Sequence, residues 1–234
     1  MADFLAWSNS RLKQFRDCPR QLWHNIAPRG HPDRVEFQQT PEMLAGNRVD
    51  DALTKRITSN TPLPPEYAPY EGMVQAVIAA PGTKLTQAKM ALDRAFRPCG
   101  YMDWDNAWVR VIYDVAVING EKAFIGDWKN GKVWIDEEQL RLFATVGFHV
   151  FPELQEIDTA YIWLQHGTIS PKTYTRRELA DLWNTFLPDV ERMQVAFKTQ
   201  TYPATPTRGA ATCKWCPANG AGKCKEAQGP YGNK

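Results

Sequence analysis

Two aspartates and a lysine stand close together in residues 108–132, WVRVIYDVAVINGEKAFIGDWKNGK. Asp127 and Lys129 are separated by one residue, and Asp114 lies earlier in the same stretch. Carboxylates supply the hard oxygen ligands that Mg²⁺ or Mn²⁺ prefers, and they leave positions for water and a phosphate oxygen. A neighbouring lysine can orient the attacking water or offset negative charge on the phosphate. The trio therefore favours metal-assisted phosphate chemistry; the alternative is a structural ion pair between Asp127 and Lys129, because such short patterns recur by chance.

The stretch that carries these residues is typical of a β-hairpin. Val, Ile, Tyr and Phe dominate both arms, and Asn119-Gly120 between them is a strong signal for a two-residue turn. That turn places Asp114 opposite Ile125, and the alternation of side chains then puts Asp114, Asp127 and Lys129 on one face. The other face is predicted to be apolar and to contain Val111, Tyr113, Val115, Val117, Phe124 and Trp128.

A second group of reactive side chains lies near the C-terminus. Cys213 and Cys216 form a C-x2-C pair, and Cys224 follows in a segment rich in glycine and alanine. A C-x2-C pair places two thiolates on one tight turn, which suits a metal ion or an iron–sulfur cluster. Three cysteines leave such a site one ligand short, and Cys18 and Cys99 are the candidates for the fourth position. Zinc and an iron–sulfur cluster both stay open, because spacing alone does not separate them.

Composition sets the outer limits of the interpretation. The chain has 234 residues, of which 43% are hydrophobic and 23% charged, and its formal net charge is +2. These values are ordinary for a soluble globular protein of one domain with appendages, so any nucleic-acid surface must be a local patch. No apolar run approaches a membrane span, and the first ten residues do not resemble a signal peptide. The sequence therefore predicts a cytoplasmic protein whose cysteines are ligands or thiols rather than disulfides.

The elements that would position these residues alternate between helix and strand. The first helix, residues 8–25 with a restart at Pro19, carries four basic residues that form either a solvated face or a phosphate-contacting face: Arg11, Lys13, Arg16 and Arg20. Apolar periodicity and capping signals predict further elements. These are helices at about 41–57, 67–80 and 136–150, strands at 84–95, 157–165 and 169–175, and a long helix at 176–197 kinked at Pro188. This order predicts an α/β fold with a mixed sheet.

Several motifs together resemble a known family. Residues 8–23, SNSRLKQFRDCPRQLW, are similar to the N-terminal signature of RecB/AddB-type nucleases in the PD-(D/E)XK superfamily. Asp114 with Asp127-Trp-Lys129 resembles the D…(D/E)-x-K core of that family, and GDWKNGK resembles its DYKTG stretch. Gln139-Leu-Arg-Leu-Phe143 resembles the following Q-x-x-x-Y motif, with Phe143 at the tyrosine position. The resemblance extends over residues 8–224 with its motifs in the family's order.

The resemblance implies a restriction-endonuclease-like core, in which a mixed central sheet is flanked by helices, and a DNA-cleaving hydrolase activity. The implied ligands of Mg²⁺ or Mn²⁺ are Asp114, Asp127, the backbone carbonyl of Trp128 and Asp50. Asp50 occupies the place of the histidine in the family's G-x-x-x-H motif, here beginning at Gly46. Lys129 is expected to orient the attacking water, and Gln139 to position the residues on the metal side. The catalytic set implied by the resemblance is Asp114, Asp127, Lys129 and Gln139.

The resemblance also gives an expectation for the cysteines. Cys18 with Cys213, Cys216 and Cys224 is similar to the one-plus-three arrangement that holds a 4Fe-4S cluster in AddB and in the CRISPR-adaptation nucleases. The expected organisation is a single nuclease domain over residues 1–234. Within it, residues 40–198 are the catalytic core, and residues 1–30 and 199–234 together form the cluster subdomain.

The expected substrate is DNA, single-stranded or with free ends, cleaved by an exonuclease in recombination, repair or phage DNA processing. The residues expected to contact it are Arg11, Lys13, Arg16, Arg20 and Lys132. A bacterial or phage-infected cytoplasm and a recombination or replication protein as a further partner complete the expectation. The alternative is a degenerate nuclease fold that binds DNA or a protein partner without cleaving, which Asp50 and Phe143 motivate and the intact Asp114, Asp127 and Lys129 oppose.

Overall fold

The computed structural model describes residues 3–227 and divides into two compact units, one spanning Gln39–Thr185 and the other joining the chain up to Gln38 with the chain from Phe186. Three short 3-10 turns, at Pro65–Tyr70, Leu164–His166 and Arg176–Glu178, supplement the helices. In chain order the helices are α1 (Asn9–Asp17), α2 (Pro19–Ile26), α3 (Pro41–Ser59), α4 (Glu71–Ala79), α5 (Glu137–Val150), α6 (Leu179–Asn184), α7 (Leu187–Thr199), α8 (Ala210–Lys214) and α9 (Pro217–Gly220).

A six-stranded sheet forms the centre of the unit Gln39–Thr185. Its strands lie in the order β2-β1-β3-β4-β5-β6. Among the described residues, β4 and β5 pair in parallel and the other neighbours pair antiparallel. The parallel pair requires a crossover connection, which α5 provides. The predicted α/β fold with a mixed sheet flanked by helices is therefore confirmed. The strands are β1 (Thr83–Leu92), β2 (Pro98–Cys99), β3 (Val109–Asn119), β4 (Lys122–Lys129), β5 (Glu156–Trp163) and β6 (Thr168–Thr175).

Helices α3 and α4 cover one side of this sheet. The start of α3 follows from its sequence, because Thr40 Oγ1 accepts a hydrogen bond from the Met43 amide at 3.3 Å and Pro41 occupies the first turn. The apolar residues of both helices pack on the sheet in one buried cluster. Its buried members are Val49, Leu53, Val74, Val77, Val115, Val117, Trp128, Ile162 and Leu164.

Helix α5 packs against the sheet at its other side. The Tyr113 hydroxyl donates a hydrogen bond to the Phe143 carbonyl at 2.9 Å, and the two rings meet edge to face. Gly147 permits the close approach, because a Cβ there would lie 2.9 Å from Ile157 Cδ1 and 3.3 Å from Ile125 Cδ1. Phe143 itself is only 4% exposed, so this residue is part of the core.

The observed hairpin register differs from the predicted one. Asn119 pairs with Lys122 and Ala116 pairs with Ile125, so Gly120-Glu121 form the turn, and Gly120 takes the left-handed conformation with φ 58°. The prediction of an Asn119-Gly120 turn is therefore wrong. Because each partner moves by two residues, this shift of register does not by itself move a side chain to the other face. Continuing the observed register sets Asp114 in line with Asp127 rather than with Ile125.

The expected apolar face of the hairpin is also split. Val115, Val117, Phe124 and Trp128 belong to the cluster under α3 and α4, whereas Tyr113 contacts α5. The change occurs at Asp114, opposite which the pairing of β1 with β3 is interrupted at Gln87, a residue with φ 47°. The alternation of side chains between the two faces of the sheet is broken at this position. The prediction that Tyr113 shares a face with Val115 and Val117 is therefore wrong.

The predicted long helix over residues 176–197 is two helices. The 3-10 turn at Arg176 begins with a capping box between Thr175 and Glu178, α6 ends at Asn184, and α7 begins at Leu187. Pro188 lies in the first turn of α7. Backbone N–H groups in the first turn have no acceptor within the helix, so proline removes no helical hydrogen bond there. The proline therefore starts a helix instead of kinking one.

The unit that joins the chain ends has its own core. Gln194 of α7 exchanges two hydrogen bonds with the backbone of Leu5, at 2.9 and 2.8 Å, and Trp23 stacks on Tyr202 with ring centroids 5.2 Å apart. Trp7 is 1% exposed and lies against Phe186. Within residues 3–227, no helix is both long enough and apolar enough to cross a membrane.

Candidate metal site and cysteine cavity

Three aspartates approach one another where β3, β4 and α3 meet. Asp50 comes from α3, Asp114 from β3 and Asp127 from β4. Gln87 joins the first two, because its Nε2 lies 2.6 Å from Asp50 Oδ2 and 3.4 Å from Asp114 Oδ1. The backbone N–H of Trp128 donates a hydrogen bond to Asp114 Oδ2 at 3.0 Å. The sheet and one helix therefore bring together the three carboxylates that the sequence marked out.

Asp127 is held between a cation and an amide. Lys129 Nζ lies 2.5 Å from Asp127 Oδ2, and Gln139 Nε2 of α5 donates a hydrogen bond to Asp127 Oδ1 at 2.7 Å. The Tyr161 hydroxyl lies 3.2 Å from Gln139 Oε1 and 2.8 Å from the Asp136 carbonyl oxygen. Lys129 Nζ is also 5.2 Å from the centre of the Tyr161 ring. These contacts fix the orientation of a carboxylate that is 4% exposed.

Burial and mutual repulsion make these acids hard to ionise. Burial raises the pKa of Asp114 to about 8, and the charges of Asp127 and Asp50 add to the effect. Burial likewise raises the pKa of Asp50 to about 6, against the hydrogen bond from Gln87. The pKa of Asp127 is raised by burial although Lys129 opposes the shift. A cation bound among three such carboxylates would offset the solvation that they lack.

The donor chemistry of this site fits a hard divalent ion. Oxygen ligands are what Mg²⁺ and Mn²⁺ prefer, and the Oδ1 atom of Asp50 is buried without a hydrogen-bond partner among the described residues. In the arrangement seen over residues 3–227, no three His, Cys, Asp or Glu side chains converge tightly enough to bind an ion without adjustment. The carboxylates therefore fit a metal in the type of donor atom that they offer.

Four cysteines line a single cavity in the other unit. None of these four cysteines forms a disulfide, and the cavity wall also includes Thr212 and Asn219. The Cys216 amide donates to the Cys213 carbonyl at 3.2 Å, as expected for a C-x2-C turn. Burial raises the pKa of Cys216 and of Cys224, and neighbouring cysteines contribute in both cases. The soft sulfur donors fit zinc or an iron–sulfur cluster in type; they are Cys18, Cys213, Cys216 and Cys224.

Cys99, the other candidate for a fourth ligand, lies on β2 in the sheet unit and is not part of this cavity. It is half-buried, and burial raises the pKa of its thiol.

The five basic residues expected to contact DNA differ in their surroundings. Arg11 Nη1 donates to the Ala6 carbonyl at 2.6 Å, and Arg16 pairs with Asp189 at 2.6 Å. Arg20 lies 3.3 Å from Glu226 and lines the cysteine cavity. Lys13 and Lys132 are exposed. Contact with DNA stays a prediction for all five, and three of them also hold the protein's own structure together.

Two residues of the candidate metal site had no signal in the sequence. Gln87 joins two aspartates and Tyr161 supports Gln139, yet both stand in strands where their residue types are unremarkable. A strand pattern shows which face a side chain occupies, but not which distant residue it will meet. Only the pairing of β1 with β3 and the crossover through α5 create these contacts.

Comparison with known proteins identifies the family. The PD-(D/E)XK nuclease superfamily matches residues 6–221, so the chain belongs to this superfamily. Among solved structures it is similar to a candidate exonuclease from Eubacterium rectale, with 14% identity and a TM-score of 0.48 over 87% of this chain and 85% of that one. It is also similar to the protein SSO0001, with 11% identity and a TM-score of 0.47 over 91% and 83% of the two chains. Both likenesses are too distant to bear on activity. No curated protein matches the chain.

Proposed function

We propose that this protein is a metal-dependent deoxyribonuclease, acting as an exonuclease on single-stranded DNA or DNA ends. The observation that carries the proposal is the group of Asp50, Asp114 and Asp127 with Lys129 beside it, in a member of a nuclease superfamily; Asp127 is buried and the other two aspartates are half-buried. A structural ion pair alone does not account for three carboxylates whose pKa values are all raised by burial, because the desolvation of such a group destabilises the protein unless a cation binds it.

In this proposal Asp50, Asp114, Asp127 and the Trp128 carbonyl hold Mg²⁺ or Mn²⁺. The ion supplies polarisation of the scissile phosphate and stabilisation of the charge that develops on it. Lys129, anchored on Asp127, orients the water that attacks phosphorus. Gln139 keeps the Asp127 carboxylate in place and is itself held by Tyr161.

The cysteine cavity is proposed to hold a 4Fe-4S cluster, with zinc as the alternative. Its role is structural, since it connects Cys18 near the N-terminus with the segment that contains Cys213, Cys216 and Cys224. In this reading residues 1–30 and 199–234 act as the cluster subdomain and residues 40–198 as the catalytic core. A RecB/AddB-like nuclease of this kind would work in a bacterial or phage-infected cytoplasm, beside recombination or replication proteins.

A second candidate function is DNA or partner binding on a degenerate nuclease fold. Asp50, at the position where the family has histidine, and Phe143, buried at the tyrosine position, favour it. Lys129 and both hairpin aspartates, present and in contact with their partners, favour cleavage instead.

The deciding experiment uses end-labelled single-stranded and double-stranded DNA with Mg²⁺, Mn²⁺ or EDTA, and protein purified without oxygen. We expect cleavage with metal and none with EDTA, and the product ladder separates exonuclease from endonuclease. Lys129→Ala is expected to lower the cleavage rate at least about 100-fold, because it removes the group that orients the water.

The matched control is Lys122→Ala. Lys122 lies on the same strand as Lys129 and also pairs with a carboxylate, Glu156 at 2.7 Å, but outside the site. It is expected to cleave at the wild-type rate. Binding of DNA by the wild type without any cleavage would favour the degenerate fold, and full activity of Lys129→Ala would remove its assigned role.

A further inference from the structure

Two cationic and two aromatic side chains form a cluster near the start of β3, the strand that also carries Asp114 of the candidate metal site. Arg110 and Asp114 are four positions apart on β3. Arg110 is three positions from Tyr113, which contacts α5, so its side chain lies on the face away from α5. Gln87 joins Asp114 to Asp50 of α3, the helix that covers that side. Lys89 joins that face from β1, because it pairs with Ile112 while Ala91 pairs with Arg110. At about 3.3 Å per residue, Arg110 stands about 13 Å along the strand from Asp114.

Two aromatic rings hold the Arg110 side chain. Its guanidinium carbon lies 4.4 Å from the centre of the Trp104 ring and 5.6 Å from that of Tyr101, and Lys89 Nζ lies 5.9 Å from the Tyr101 ring. Trp104 is 64% exposed although one face covers Arg110. An arginine stacked on an indole leaves the other face of the indole available to a further planar group.

The loop that carries Trp104 is well defined. Asp103 accepts hydrogen bonds from the Asp105 and Asn106 amides at 3.2 and 3.1 Å and from Asn106 Nδ2 at 2.9 Å. The Asp103 carboxylate therefore forms its hydrogen bonds with residues of its own turn. The bond from Asn106 holds the pKa of Asp103 below its usual range, and the charge of Arg110 contributes least to that shift.

Two nitrogen donors of the Arg110 guanidinium lack a hydrogen-bond acceptor within residues 3–227. Nε and Nη2 of Arg110 are buried and have no hydrogen-bond partner among the described residues. Leaving such donors unpaired is unfavourable, and a phosphate can accept two of them at once in the fork geometry that arginine presents. An exposed indole, a stacked arginine with unused donors and a nearby lysine together match the chemistry of a nucleotide: a base to stack and a phosphate to bind.

We propose that Trp104, Arg110, Tyr101 and Lys89 form a binding subsite for a nucleotide of single-stranded DNA outside the cleavage centre. Trp104 stacks on an unpaired base, and Arg110 with Lys89 binds the adjacent phosphate. The inference rests on the proposed function, because the strand that this subsite holds is the one cleaved at Asp114. At 3.4 Å per nucleotide of a stacked strand, the separation corresponds to about four nucleotides. A base within a duplex has both faces covered, so the subsite favours single strands.

The test measures binding of a fluorescent single-stranded oligonucleotide in EDTA, which separates binding from metal-dependent cleavage. Trp104→Ala is expected to weaken binding about 5- to 150-fold, the range for one base–aromatic stack. Met102→Ala is the matched control and is expected to bind as wild type, since Met102 is an exposed apolar residue of the same loop outside the cluster. Arg110→Ala should reduce the slope of log affinity against log salt by about 0.7, whereas Arg110→Lys should keep the slope.

A second measurement tests stacking directly. Single abasic sites are placed at successive positions of the oligonucleotide. We expect one position at which the missing base weakens binding to the wild type but not to Trp104→Ala. Wild-type affinity in Trp104→Ala and Arg110→Ala, or no single-strand binding by the wild type, would overturn the subsite.

The two proposals fail in different ways. Binding that depends on Trp104 in a protein that never cleaves DNA contradicts the nuclease and leaves the subsite standing. Metal-dependent cleavage with equal DNA affinity in all variants contradicts the subsite and leaves the nuclease standing.

Discussion

At the scale of single residues, the raised pKa of Asp114 makes the stability of the metal-free protein depend on pH. An ordinary aspartate has a pKa near 3.8, whereas Asp114 in the folded protein has a pKa of about 8. The folded protein therefore keeps a proton that the unfolded chain releases as pH rises. The stabilising contribution of this group is complete below about pH 4 and is lost as pH rises to about 8.

Asp114→Asn tests this relation in the absence of metal. With EDTA at pH 8, the variant is expected to have a free energy of unfolding at least about 1 kcal/mol above that of the wild type, because it has no charge to bury. Mg²⁺ or Mn²⁺ should stabilise the wild type and have little effect on the variant. Denaturant unfolding at pH 5 and pH 8, with EDTA or with metal, measures both effects.

Asp51→Asn is the control, because Asp51 is exposed and pairs with Lys55 on the surface of α3. It should change neither the pH dependence nor the response to metal. An Asp114→Asn protein no more stable than the wild type at pH 8 would contradict the assigned burial cost.

At the scale of elements, the site depends on how closely α5 lies against the sheet. Gln139 reaches Asp127 from the start of this helix, and Tyr113 and Phe143 contact each other at its middle. Gly147 sets the separation further along, because the side chains of Ile125 and Ile157 fill the space where a Cβ would stand. We therefore expect a side chain at position 147 to change the placement of Gln139.

Gly147→Ala and Gly46→Ala are expected to have opposite effects on stability. Both substitutions replace a glycine inside a helix and gain helix propensity of up to about 1 kcal/mol. At Gly46 a Cβ meets nothing within 4 Å, so the variant should be more stable than the wild type. At Gly147 overpacking against the sheet should outweigh the gain and lower the free energy of unfolding by about 1–3 kcal/mol.

Urea unfolding of the two variants measures the difference. Equal stabilisation by both substitutions would show that α5 shifts without cost, and would remove Gly147 as the determinant of the helix–sheet separation.

At the scale of the whole molecule, cysteines from near both ends of the described chain lie together. Cys18 and the group from Cys213 to Cys224 line one cavity although nearly the whole sequence separates them. Closing so long a loop in the unfolded chain is entropically unfavourable, so a bound metal group shared by these cysteines would stabilise the unit considerably.

Cys216→Ser is expected to lower the metal content and the stability of the protein together. Protein purified without oxygen should contain iron and acid-labile sulfide with broad visible absorbance; zinc in a colourless protein would select the alternative. The measurements are iron, sulfide and zinc analysis and thermal unfolding. Cys99→Ser, outside the cavity, should match the wild type, and unchanged metal content in Cys216→Ser would contradict the proposed ligand set.

The sequence by itself determined those features that depend only on residues close together in the chain. Thr40-Pro41 marks the start of α3, and the β-branched and aromatic residues on both sides of Gly120 mark the two strands that carry Asp114 and Asp127, because capping and strand preference act over a few residues. The order of the motifs along the chain also pointed to the superfamily. Tertiary structure decided the rest. The left-handed Gly120 selected the register, the interruption at Gln87 turned Tyr113 towards α5, and the break before Pro188 divided the last long helix. The partners of Asp50, Gln139 and Arg110 come from distant segments, and no local pattern specifies which of them a folded chain will bring together.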